Sequence, residues 1–123
     1  MLGEACARCK RPIENIQVAG EQVAPNGLAS KFRTIHCMAT WIGQQSQPAD
    51  GQYWVTDYQK GKWIRADRAA YVRVVINPNS MERDFIAFAD AGAAAAAAAS
   101  NQSTVVHWAD VLELGRTKPL GGN

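Results

Sequence analysis

Cys6-Ala7-Arg8-Cys9 sets two thiols three positions apart almost at the start of the chain, and the third and last, Cys37, follows in His36-Cys37-Met38. A Cys-x-x-Cys pair can be gathered onto one metal ion or onto each other, and a distant Cys between His and Met offers further ligands. Three chemistries use such a pair. A zinc knuckle needs two more donors, which Cys37 with His36 or His107 would supply. A thioredoxin-like redox pair belongs between a strand and a helix N-terminus, whereas Arg11-Pro12-Ile13 leads into a strand-like segment. A Cu(I) site needs only two or three soft donors, so one or both of these cysteines suffice.

Met81 favours the third chemistry. Methionine ordinarily fills cores, but this one stands in Asn77-Pro78-Asn79-Ser80-Met81-Glu82-Arg83-Asp84, a polar loop with no apolar neighbours for it. An exposed thioether needs a reason, and Cu(I) supplies one where zinc does not. Cys37 reads equally as a ligand and as a small buried hydrophobe, because Met38, Trp41 and Ile42 beside it should face a core. His36 is adjacent to it, and neighbours at a strand-to-helix junction seldom reach one ion, so His36 reads as a satisfied or exposed histidine before a ligand. His107 alternates with Val106 and Trp108 and reads as a half-exposed strand residue. No Ser/His/Asp order, glycine-rich phosphate loop or paired-carboxylate spacing stands out, so an enzyme reading has no nucleophile or base to name.

The elements that position these residues are bounded by length and composition. A chain of 123 residues, 47% hydrophobic, can bury one core and is too short for two full-sized domains. Its net charge of +2 is spread along the sequence, the densest basic stretch being Arg8-Cys9-Lys10-Arg11, which argues against a nucleic-acid partner. The apolar stretch from Ala91 to Ala99 falls short of the roughly 18 to 20 residues of a membrane span. No charged leader followed by an apolar segment precedes Cys6, so the expectation is a cytoplasmic product or one whose export signal has been removed. Three cysteines cannot all pair, and free or metal-bound thiols are expected.

Along the chain, Pro12 to Ala19 alternates as a strand and Pro25-Asn26-Gly27 turns. Lys31 to Ile35 reads as a second strand, and a short helix begins near Cys37 and ends at the breaker region Gly43 to Gly51. Tyr53 to Tyr58 and Trp63-Ile64 are strands, Ala66 to Ala70 one helical turn, and Tyr71 to Ile76 and Phe85 to Phe88 further strands. Asp90 caps an alanine-rich helix to about Ser100. Thr104 to Trp108 is the closing strand, Asp110 to Leu114 a last helical turn, and the tail from 115 loose. Phe32, a helix from Cys37 and a strand ending at Asp57 are echoed at a constant offset by Phe85, a helix from Asp90 and a strand ending at Asp110. The expected fold is therefore α+β, one compact unit of two strand-strand-helix-strand halves, about 5–60 and 61–114.

These residues together resemble the NosL family of nitrous oxide reductase accessory proteins. The resemblance is carried by Cys6-Ala7-Arg8-Cys9, Phe32, His36-Cys37-Met38-Ala39-Thr40-Trp41-Ile42, Val55-Thr56-Asp57-Tyr58, Trp63 to Val72, Met81 and Ile86-Ala87-Phe88. It implies paired strand-strand-helix-strand units in a single NosL-like domain. It further implies a non-catalytic Cu(I) chaperone that passes copper to a client outside the cytoplasm, in the periplasm, such as nitrous oxide reductase. The family's typical copper ligands fall on Cys9 and Met81, with Cys6 belonging to the Cys-x-x-Cys form of the motif. The alternative is a structural Zn(II) domain using Cys6, Cys9, Cys37 and a histidine.

Overall fold

The computed structural model describes residues 3–45 and 51–121. Its first half runs through β1 (Gly20–Val23), β2 (Ala29–Phe32), α1 (Ile35–Gly43) and β3 (Gln52–Thr56). After β4 (Trp63–Arg65) and a 3-10 turn at Ala66–Arg68, the second half repeats the order with β5 (Ala70–Asn77), β6 (Glu82–Phe88), α2 (Ala91–Ser100) and β7 (Val105–Val106). α3 (Trp108–Thr117) follows. In each half the first strand is central, flanked antiparallel by the second and third: β2-β1-β3 in one sheet, which β4 extends, and β6-β5-β7 in the other. The fold is α+β, and the repeat expected from the sequence is present as topology.

The sheets meet where the chain leaving β3 touches β6, through a parallel bridge from Asp57 to Ala87 and the Tyr58 N–H on the Ala87 carbonyl at 2.7 Å. Successive strand side chains point to opposite faces, and β5 and β6 have both faces covered. Tyr71, Phe85 and Ala87 pack into a core with α1 and with Val111 of α3. Val72, Val74, Ile86 and Phe88 face the other way, against Ala94 and Ala98 of α2. Four positions apart, those two alanines form one helix face, and their small side chains let the helix lie close on the sheet. Asp90 caps α2 by accepting the Gly92 N–H at 2.9 Å.

Several local readings are corrected. Pro12 to Ala19 is not a strand: Pro12 makes one bridge to Ala5, and the Asn15 side chain accepts the Gln17 N–H and starts a 3-10 turn at Ile16–Val18. That local side-chain bond competes with extension. β2 ends at Phe32 because the Thr34 hydroxyl accepts the Cys37 N–H at 3.1 Å, so α1 starts at Ile35. Trp108 opens α3 instead of closing a strand, since the Asp110 carboxylate accepts the His107 N–H in a capping box. α3 then runs well past Leu114, and Lys118, Leu120 and Gly121 beyond it are held by hydrogen bonds. Residues 46–50 of the expected breaker region lie outside the described residues. No described helix is long and apolar enough to cross a membrane.

Candidate metal centre

The Cys-x-x-Cys sequence folds into a hairpin knuckle. Ala5 pairs with Pro12, the Cys6 N–H bonds the Arg11 carbonyl at 2.9 Å, and the Lys10 N–H returns to the Cys6 carbonyl at 3.0 Å. Lys10 closes the turn in the left-handed region with φ 65°. The knuckle is tied to β2 by the Ala7 N–H on the Lys31 carbonyl at 2.7 Å. β2 leads directly into α1, whose first turn carries Cys37. The start of α1 is braced from β6, where the buried Asp84 carboxylate accepts the His36 N–H at 3.0 Å.

This bracing brings all three thiols together. The Cys6 and Cys37 sulfurs are 3.5 Å apart, and the sulfurs of Cys6, Cys9 and Cys37 all lie within 4.8 Å of one another. All three cysteines are free and buried. Three thiolates bound to one ion at about 2.3 Å stand about 4 Å apart in a trigonal plane, so this spacing suits a single soft ion. Among the described residues, the group of candidate metal-binding side chains holds these three and no histidine or carboxylate.

The electrostatics favour the thiolate at Cys6 and the protonated thiol at Cys37. The Cys6 thiol is held well below its ordinary range, first by the hydrogen bond from Cys37 and then by backbone N–H groups of Cys9, Arg33 and Arg8. Cys37 moves up, because it keeps the proton it shares with Cys6 and is buried, against the opposing pull of Arg8. The Arg8 Nε donates to the Cys37 sulfur at 3.0 Å. Arg33 also faces Cys9, and its guanidinium is paired with the Glu82 carboxylate at 2.5 Å, the contact that most strongly fixes its charge. Cys9 and Cys37 line a cleft of about 310 Å³ with Arg8, Arg11, Arg33 and Glu82, and Leu120 and Gly121 complete its wall.

The remaining predicted residues are placed differently. His36 is buried with its Nε2 3.0 Å from the Lys118 carbonyl and its ring edge-on to Phe85, and burial pushes its pKa down. His107 is the exposed N-cap of α3. Met81 is 64% exposed in the turn between β5 and β6, at φ 61°. The turn is built by Asn77, whose side chain accepts the Asn79 and Ser80 N–H groups. Met81 immediately precedes Glu82, which lines the cysteine cleft, but Met81 itself does not line it. Sequence reasoning passed over Arg8, Arg33 and Glu82. Arg8 was in view inside the motif, as part of a basic stretch, but nothing in the sequence pairs Arg33 with Glu82.

The NosL family model matches residues 3–114, almost the whole chain. The chain belongs to the NosL family. None of the curated proteins matches it. In this NosL family member the matched segment contains the entire three-thiol cluster, the Met81 turn and both strand-strand-helix-strand halves.

Proposed function

We propose that this NosL family member is a Cu(I) chaperone, not an enzyme, which carries copper outside the cytoplasm and hands it to a client such as nitrous oxide reductase. The observation that carries this reading is the trio of buried thiols within 4.8 Å of one another in a chain of this family. Cys9 and Cys6, with Cys37, supply the sulfur donors, and Met81 is the exposed thioether through which the ion enters and leaves. A thiolate gives strength, and a thioether gives softness without charge. An ion held by two or three donors accepts one more from an incoming partner, so it moves by ligand exchange through a mixed intermediate. The exposure of Met81 outside the cleft supports its role as the first point of contact with a client.

The rival is a structural zinc site, which needs a fourth donor. His36 has an unpartnered Nδ1 but does not belong to the group of thiols lying within 4.8 Å of one another, and His107 sits exposed at the head of α3. Anaerobic titration of the reduced protein with Cu(I) against a chromogenic chelator, beside a Zn(II) titration, separates the two. One-to-one Cu(I) binding with weak zinc binding is expected. Tight zinc binding, together with a thermal melt that collapses in chelator, would make the site structural, because its binding energy would then be folding energy.

A further inference from the structure

Arg8 is an unusual neighbour for a cation site. Its Nε donates to the Cys37 sulfur at 3.0 Å, while Nη1 reaches the Leu120 carbonyl and Nη2 the Gly121 carbonyl, both at 3.4 Å. Leu120 is itself fixed by its N–H on the Thr40 hydroxyl at 3.1 Å. Among the described residues, these hydrogen-bond partners are a thiol and two carbonyls, with no carboxylate to neutralise the guanidinium. The α3 tail therefore clamps a permanent positive charge against a thiol of the metal cluster. Arg33 faces Cys9, but Glu82 offsets its charge.

From this arrangement we infer that Arg8 is a specificity-determining residue of the thiol site: its fixed charge selects a monovalent over a divalent soft ion. This rests on the copper reading of the site. Arg8 attracts the thiolates and repels the bound ion. The attraction helps every metal alike, whereas the repulsion is twice as large for Zn(II) as for Cu(I) at the same position. A guanidinium free to swing into water would relieve that repulsion, but the two carbonyl contacts oppose the movement. A metal-bound thiolate keeps lone pairs that accept the Nε–H, so the contact survives Cu(I) loading.

The test is the ratio of the two affinities, since removing the charge weakens thiolate formation for both metals. Reduced wild-type protein, Arg8→Gln, Arg8→Met and Arg8→Lys are each titrated with Cu(I) and with Zn(II) against chromogenic chelators, with folding followed by circular dichroism. In the neutral variants the Zn(II) affinity should gain on the Cu(I) affinity by at least about tenfold, while Arg8→Lys, which keeps the charge but not the two carbonyl contacts, falls between them and wild type. A ratio unmoved in Arg8→Gln and Arg8→Met, or moved equally by Arg8→Lys, would overturn the proposal. Failure of both neutral variants to fold would also overturn it, by assigning Arg8 to the scaffold. Wild-type protein that prefers zinc would defeat the copper reading, yet the wild-type-to-variant change in the ratio would still report what Arg8 does.

Discussion

The sulfurs of Cys6 and Cys37 lie 3.5 Å apart although the two residues are 31 positions apart in sequence. The first belongs to the N-terminal knuckle and the second to the opening turn of α1, and β2 joins these elements. If the cluster is the copper site, losing either knuckle or helix thiol breaks it. Cys9→Ser and Cys37→Ser should each lower Cu(I) affinity by at least about 100-fold, the upper end of what loss of a residue merely supporting a ligand costs. Competition titration of the reduced variants measures this, and near-wild-type affinity in Cys9→Ser would shift the site to Cys6 and Cys37.

Met81 tests function and fold in opposite directions. A left-handed backbone costs an L-residue about 1–2 kcal/mol, offset by about 0.5–1 kcal/mol of extra chain entropy when glycine replaces it. Met81→Gly should therefore hold or slightly raise the melting temperature, and Met81→Ala should leave the fold intact. Both should weaken Cu(I) binding and slow its transfer to an acceptor in stopped-flow mixing. Unchanged binding and transfer would remove Met81 from the site.

Gly115 reports how tightly α3 is packed on the helix that carries Cys37. A Cβ built there would lie 2.5 Å from the carbonyl carbon and oxygen of Ala39. Alanine normally stabilises a helix interior relative to glycine, but here the clash is with backbone, which has no rotamer to give. Gly115→Ala should destabilise by about 1–3 kcal/mol or more, seen as a lower urea midpoint. A gain in stability would show that α1 and α3 can separate freely.

The Arg33–Glu82 pair adds a pH dependence. The Arg33 hydrogen bond holds the Glu82 carboxyl below its ordinary value of 4.5. The folded protein therefore binds fewer protons at Glu82 than the unfolded chain as the medium becomes acidic. Stability from this pair is complete above pH 4.5 and is lost as pH falls through the lower folded value. Glu82→Gln should flatten the acid limb of a plot of melting temperature against pH, and an identical limb in the variant would count against the pairing.

What local chemistry governs could be read from the sequence alone. The Asp90 cap, the alanine helix, the turn that exposes Met81, the repeated strand-strand-helix-strand order and the Cys-x-x-Cys motif all depend on residues close in the chain. Where local signals competed, the reading failed, as when Asn15 turned an alternating stretch into a 3-10 turn and the His107–Asp110 capping box drew Trp108 into a helix. Which side chains stand beside Cys37 depended on contacts between distant segments. The pairing of the knuckle with β2, and Asp84 bracing α1 from β6, put Cys37 with Cys6 and Cys9 and turned His36 toward the Lys118 carbonyl. Arg8 reached the same cluster only because the tail beyond α3 folds back over it, a contact between the two ends of the chain that no sequence window spans.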